Sequence, residues 1–525
     1  MNVIQQPNRE IVLLLGKNLY FKDWKYRLNK FCIVNEIPDE CILIFNTMTR
    51  ALVSMTQAEY EALFIHGTAR YSFLLENYFI VKDDYDEMKA LDEIRFKFAN
   101  PIDDDYFDEV YQFLILPTTG CNARCFYCYE RKMSKSPMSI ETAEDVVQFM
   151  LKKAKDPDRH ILLRWFGGEP LVNMKVIDYI CTRMEENNRH FNSTMVSNGY
   201  LFDEKVVEKA VNLWHLNDVQ ITLDGTEEIY NKAKNYIYKN QDKVSPYQKV
   251  VKNIEYLLNK NIAVSVRMNA DLYNAEDLKK LVHEIGTKFK GNKLLGMYAW
   301  PIFEDEDNVR DNDRRQDVYE KIWEIEDVME EYGYERGGNL DMNIRSHHCM
   351  VDGKYNILIS PKGELGLCEH YIDSDFWGSI YSDEVNWDVV KSWRMYEPKL
   401  EMCDTCPRYP SCLRPTKCLD LKICTPQFRD FQLRHDKQSM ITMYRNWVNN
   451  MNNGCNDTCD CGNGSCELPN NGNVVDVQKL SFKEKTKLLF QKREKSPLPM
   501  DLAEGVVDLA RMSFAERAKF IFKKG

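Results

Sequence analysis

A chain of 525 residues is long enough, at roughly 100–200 residues per domain, for about three domains and a substantial buried core. Its 44% hydrophobic and 29% charged residues are the balance of a folded protein, which excludes a collagen-like or mainly disordered chain. A formal net charge of −11 offers no global basic field to a nucleic-acid backbone or an anionic membrane, so small-molecule or peptide substrates fit better.

The longest early apolar run, 11–15, is far shorter than a signal-peptide core, and no window approaches the roughly 18 apolar residues of a membrane span. The expectation is a cytoplasmic protein. Residues 41–45 read as a strand, 46–49 as a turn, and Thr56 to Glu59 as a capping box opening a helix over 60–64, so a small α+β module is expected over 1–105. From 106 to 335 short apolar runs alternate with amphipathic segments. Strands are expected at 112–116, 161–166, 193–197, 219–223, 263–268 and 293–299. Helices are expected at 140–155, 172–188, 204–213, 247–259 and 275–289. Six such units imply an α/β fold whose parallel sheet curls toward a barrel or part of one, with functional residues at the C-terminal strand ends. A charged amphipathic helix over 314–332 leads into a cysteine-dense region, 336–445. The remainder, 446–525, opens with nine Asn and four Gly in 25 residues (449–473), a flexible linker carrying Cys455, Cys459, Cys461 and Cys466. Two short basic helices follow at 480–490 and 512–522, each with Ser three residues before Glu.

Seventeen cysteines in a reducing compartment point to metal or redox chemistry rather than disulfides. Cys32, Cys41 and Cys181 stand alone and read as small buried hydrophobes. Cys121-x3-Cys125-x2-Cys128 follows the first core strand. Three thiolates at that spacing can converge on one inorganic cluster, but they leave one iron of a four-iron cubane open and therefore reactive; a zinc site short of a ligand is the competing reading. The next strand runs straight into Gly167-Gly168-Glu169-Pro170, where glycines permit close backbone approach to a ligand and the acid can accept hydrogen bonds from an ammonium group.

This pairing, with Tyr127 just before the third cysteine, resembles the radical SAM superfamily. The resemblance implies a partial (β/α)6 barrel with a 4Fe-4S cluster on Cys121, Cys125 and Cys128. Its open iron would be chelated by S-adenosyl-L-methionine (SAM), whose reductive cleavage yields a hydrogen-abstracting 5′-deoxyadenosyl radical. The implied cofactor contacts are Tyr127, Gly167, Gly168 and Glu169 (the amino group), Ser197 or Thr222 (the ribose) and Arg267 (the carboxylate); ordinary turn and capping chemistry is the alternative for each of the last three. Tyr230 stands where relatives often carry His.

Downstream, Cys349-x13-Gly363-x4-Cys368 and then Cys403-x2-Cys406-x5-Cys412-x5-Cys418-x5-Cys424 exceed what one zinc needs. They resemble the SPASM extension, which adds auxiliary iron–sulfur clusters. By that resemblance Cys403, Cys406, Cys412 and Cys424 hold one cluster, while Cys349, Cys368 and Cys418 hold another with an open iron, an outside ligand, or His347 or His348. Residues 110–430 thus resemble a radical SAM/SPASM peptide maturase, an oxidoreductase that installs thioether or carbon–carbon crosslinks in ribosomally made peptides. The alternatives are a sulfatase-maturase-like oxidase forming formylglycine from Cys or Ser, and a non-catalytic electron-transfer scaffold. Implied partners are a precursor peptide, met through a sheet edge of the N-terminal module, and an electron donor such as flavodoxin or ferredoxin. The segment from Cys455 to Cys466 reads as a third metal site, a tethered substrate-like strand, or uninvolved thiols. No side chain can be singled out as the substrate-side acid or base.

Overall fold

The computed structural model describes residues 1–453, apart from 23, 65–68, 99–105, 238–243, 303–311, 335–339, 341–343, 345–350, 352–355, 373 and 419–423. Cys349, His347, His348, the cysteines of the linker and both C-terminal repeat helices lie outside the described residues.

The N-terminal module comprises β1 (Asn2–Gln5), α1 (Arg9–Leu15), β2 (Tyr26–Leu28), β3 (Cys32–Ile37), β4 (Cys41–Asn46), β5 (Leu52–Met55), α2 (Gln57–Glu61), α3 (Ala69–Glu76), β6 (Ile80–Lys82) and α4 (Glu87–Phe98). Its main sheet runs β1-β5-β4-β3, all antiparallel, and β2 pairs with β6. The expected capping box forms: the Thr56 hydroxyl accepts from the Glu59 amide while the Glu59 carboxylate accepts from the Thr56 amide, which satisfies two orphan helix donors at once. The helix it opens starts earlier than expected, at Gln57.

All six core strands are present with ends displaced by a few residues: β7 (Gln112–Thr118), β8 (Ile161–Gly167), β9 (Phe191–Ser197), β10 (Leu216–Thr222), β11 (Ala263–Ala270) and β12 (Leu295–Pro301). They lie side by side in sequence order and every pair is parallel. Between them run α5 (Ile140–Lys153), α6 (Met174–Glu186), α7 (Glu204–Asn212), α8 (Glu227–Lys234), α9 (Pro246–Asn259) and α10 (Ala275–Lys288), with α11 (Asn312–Glu330) after β12. Side-chain caps start three of them: Ser139 accepts from the Thr142 amide, Asp203 from Val206 and Ser245 from Gln248. Each such cap stabilises its helix by about 1 kcal/mol.

Period-two alternation sorts the strands' side chains. In β9, Phe191, Ser193, Met195 and Ser197 are buried, whereas Asn192, Thr194 and Val196 are half-buried on the other face. In β8, Leu163 and Trp165 join the hydrophobic core while Arg164 is exposed. The result is a partial barrel, an open parallel sheet with one face in the main core and a second, mixed face, polar over β8 to β11 and apolar at Leu114, Leu116 and Leu358.

The sheet does not end at β7. Strand β13 (Asn356–Ile359) adds to it in parallel, and β14 (Glu364–Gly366) and β15 (Gly378–Ser379) follow antiparallel. The cysteine-rich region is therefore stitched to the barrel at its start. Its later part, with α12 (Trp387–Ser392), is gripped from two sides before α13 (Pro426–Asn453). Arg95 of α4 donates to the carbonyls of Tyr409 (2.5 Å) and Cys412 (3.0 Å), and Arg408 pairs with buried Asp436 of α13 at 3.1 Å.

Candidate functional site

Strand β7 delivers Cys121, Cys125 and Cys128 onto a loop at the C-terminal edge of the sheet. The loop is tied down at several points. The Arg124 amide donates to the Lys234 carbonyl (2.8 Å) and the Ile237 amide to the Asn122 carbonyl (3.0 Å). Asn198, just after β9, donates its side-chain amide to Asn122 Oδ1 at 2.7 Å. All three thiols are free and half-buried, and they line one cavity of about 580 Å³ together with Gly167, Gly168, Ser197, Asn198, Thr222 and Arg267. Burial pushes Cys121 up to about 12 and Cys128 up to about 11. It also raises Cys125, against the pull of nearby Lys234.

The donor set fits an iron–sulfur cluster. Three soft sulfur ligands face one cavity and are uncharged at neutral pH in the protein alone, so they ionise only when a metal takes the proton's place. Beside Cys121, buried Asn122 Nδ2 has no acceptor among the described residues, a vacancy that an added anionic group can fill.

The two glycines at the end of β8 meet protein before they meet any ligand. A Cβ on Gly168 would lie 2.4 Å from the Gly120 carbonyl oxygen, and one on Gly167, at φ +112°, would lie 2.3 Å from that of Thr118. The turn instead locks onto the cysteine loop: the Gly168 amide donates to Thr118 O (3.2 Å) and the Glu169 amide to Gly120 O (2.9 Å). Both glycines also line the cavity. Glu169 itself is fully buried. Its carboxylate accepts from Ser197 Oγ (2.9 Å), the Asn198 amide (2.8 Å) and the Leu171 amide (3.2 Å), and burial holds it up to about 7 against those hydrogen bonds. Glu169 and Ser197 are thereby engaged with each other, as a brace between the ends of β8 and β9.

A second brace was not foreseen. Lys234, buried at the end of α8, lies 2.9 Å from Asp224 Oδ2 and donates to Thr222 Oγ1 (2.6 Å) and Tyr127 Oη (2.8 Å). Tyr127 donates to Asp224 Oδ2 at 2.5 Å, and burial together with that carboxylate raises the phenol well above its ordinary range. Asn269 donates to Asp224 Oδ1 (2.9 Å) and accepts from Arg267 Nε (3.0 Å). Expected contacts Tyr127, Thr222 and Arg267 are thus joined in one network whose centre is an ion pair. The sequence signal was present: Thr226 precedes two glutamates, and lysines close the segment, which is a helix start and stop. Tyr230 is fully buried and shares a hydrogen bond with Tyr236 at 2.9 Å.

The cysteine-rich region adjoins the same cavity. Glu369 and His370, directly after Cys368, line it, and the His370 ring lies 4.7 Å from that of Tyr129. Tyr371 donates to the Lys417 carbonyl at 2.7 Å, so the chain around Cys368 meets the chain around Cys418. Buried Cys403 lies with Cys406, Cys412 and Cys424 in one electrostatic neighbourhood; burial first, then these neighbouring sulfurs, raises Cys424 to about 12. Gly363 takes φ +82° in the turn between β13 and β14, a conformation that favours glycine.

Residues 115–285 match the family model described as the Radical SAM superfamily. The chain is 23% identical over 276 residues to an uncharacterized protein of Methanocaldococcus jannaschii, covering 50% of this chain and 85% of that one. It is 20% identical over 216 residues to the radical SAM cyclopropyl synthase TigE of Paramaledivibacter caminithermalis, covering 38% and 43%. Among solved structures, anSMEcpe with bound AdoMet aligns at 18% identity and TM-score 0.47 over 65% of this chain and 99% of that one. Streptococcus suis SuiB bound to precursor peptide SuiA aligns at 13% and TM-score 0.43 over 77% and 98%.

Proposed function

We propose that this chain, which carries a radical SAM domain over residues 115–285 and takes a 4Fe-4S cluster and SAM, oxidatively modifies a ribosomally made peptide, forming a thioether or carbon–carbon crosslink. Cys121, Cys125 and Cys128 would hold the cluster, and the cavity wall from Gly167 to Arg267 would hold SAM. Once bound, these groups supply a hydrogen-abstracting adenosyl radical, and auxiliary clusters supply a sink for the electron that bond formation releases. The chain's own residues supply position: the Glu169–Ser197 brace joins the ends of β8 and β9, and the Asp224–Lys234 brace ties the end of β10 to Tyr127 on the cysteine loop.

The observation that carries this reading is that Glu369 and His370, directly after Cys368 of the second cysteine array, line the first site's cavity. A net two-electron oxidation of substrate needs such an acceptor close by. We assign Cys403, Cys406, Cys412 and Cys424 to one auxiliary cluster, and Cys349, Cys368 and Cys418 to the other. The precursor peptide would enter through the N-terminal module, adding a strand at the β3 or β1 edge of its sheet, and a flavodoxin or ferredoxin would deliver the reducing electron. Among the described residues no helix is long and apolar enough to cross a membrane.

The test is anaerobic turnover of the reconstituted chain with SAM, reductant and cysteine-containing peptides, read by mass spectrometry. A crosslink removes two hydrogens and keeps every sulfur, whereas oxidation of Cys to formylglycine loses the sulfur. Loss of sulfur would replace the crosslinking reading with the maturase-like one.

A further inference from the structure

On the cavity face of the sheet, register places Leu114, Arg164, Thr194 and Asp218 in one row across β7, β8, β9 and β10. The row lies below the strand ends. Arg164 precedes Gly167 by three residues, roughly 10 Å of strand, and Asp218 precedes Thr222 by four, roughly 13 Å. Both line the cavity that holds the three thiols. Arg164 is exposed to that cavity and, among the described residues, has no hydrogen-bond, ion-pair or ring partner. Asp218 is half-buried and accepts no hydrogen bond among them; β9 separates it from Arg164, so their backbones stand about 10 Å apart, two strand spacings. The other cations of the cavity are occupied, Arg267 by Asn269 and Lys234 by Asp224.

Resting on the peptide-modifying reading above, we propose that Arg164 is a specificity residue that binds a carboxylate on the substrate, so that the peptide residue presented to the SAM end of the cavity is acidic or follows an acidic neighbour. A guanidinium left without a partner in a cavity is a planar, two-pronged donor suited to a carboxylate. The gap of roughly 10 Å between the Arg164 row and the strand ends is the length of a peptide side chain plus the arginine's own reach. Asp218 in the same row repels a doubly charged phosphate and accepts a peptide N–H, which selects a carboxylate on a peptide over a nucleotide. The remaining charged groups on the wall are Glu130, two residues after Cys128, and Glu369 and His370, the latter with its ring 4.7 Å from that of Tyr129.

The experiment is capture of an equimolar random hexapeptide library on the full-length, cluster-loaded, SAM-bound protein under anaerobic conditions, with bound sequences read by mass spectrometry. Wild type is expected to enrich Asp and Glu roughly ten-fold, as a charge-assisted hydrogen bond allows. Arg164→Gln loses the bias, and Arg164→Glu turns it toward Lys and Arg, a reversal that a misfolded variant cannot produce. Capture without acidic bias, or a bias unchanged in Arg164→Gln, overturns the role of Arg164 and leaves the peptide reading intact. Absence of any capture by wild type, or release of bound peptide by GTP, used as the nucleotide probe, but not by acidic peptides, overturns both.

Discussion

Replacing Lys234 with Met tests the buried network most sharply. The ammonium makes three short contacts, to Asp224 (2.9 Å), Thr222 (2.6 Å) and Tyr127 (2.8 Å), and both charged side chains of the pair are no more than 3% exposed. Removing one partner of a buried pair typically destabilises by roughly 3–5 kcal/mol. Here Asp224 keeps two donors, Tyr127 and Asn269, which places the expected loss near the lower bound, about 3 kcal/mol. Asp224→Asn alone leaves the ammonium stranded, while the double variant removes both charges and recovers part of the loss. A double-mutant cycle in urea, on the metal-free chain under reducing conditions, should give a coupling of about 2 kcal/mol between the two sites. Hydrogen exchange should rise in the cysteine loop, because the Arg124 amide hangs on the Lys234 carbonyl. Coupling below about 0.5 kcal/mol, or unchanged exchange at 121–128, would refute the account of the network.

Gly168→Ala forces a Cβ to 2.4 Å from a backbone oxygen; we expect iron loaded at the first site to fall by more than half, measured per chain after reconstitution, whereas Gly296→Ala, in open space and without a positive φ, should load normally. Asp436 is held up to about 6 by burial, opposed by Arg408. A carboxyl raised above its ordinary 3.8 in the folded state favours the fold when protonated, so its contribution is complete below pH 4 and lost as pH rises through 6. The unfolding free energy of wild type relative to Asp436→Asn, measured in urea, should therefore fall between pH 4 and 7 by an amount on the order of 3 kcal/mol; a relative rise would mean that the Arg408 pairing dominates. Cys412→Ser and Cys418→Ser should each remove iron from a different auxiliary centre, so their losses add in the double variant, while those of Cys412→Ser and Cys406→Ser do not.

Much of the fold was legible because period-two runs and capped amphipathic helices are local signals. The Thr56–Glu59 box and the six parallel strands of the barrel needed nothing beyond a window of residues. Pairing across long separations did not show. That β13 would continue the barrel sheet beside β7, 240 or more positions earlier, is settled by packing, since Ile357 and Ile359 join the same core as Phe113 and Ile115. The site was legible as chemistry more than as geometry. The cysteine triplet and the glycine pair stand out as residue types, yet the spacing says nothing of what each side chain faces. Glu169, expected to meet an ammonium, spends its oxygens on Ser197 and on the Asn198 and Leu171 amides. Lys234 closes a helix of eight residues whose start and stop are marked in the sequence, but only the fold brings it to Tyr127.

The central claim is that Cys121, Cys125 and Cys128 assemble a centre that cleaves SAM. The measurement is the yield of 5′-deoxyadenosine from the reconstituted full-length chain with SAM and a strong reductant, without oxygen. The account predicts nucleoside formation in wild type and in Cys412→Ser, and none when any one of the three loop cysteines is replaced by alanine. Full iron content in wild type with no 5′-deoxyadenosine, or a yield that survives loss of Cys125, would contradict it.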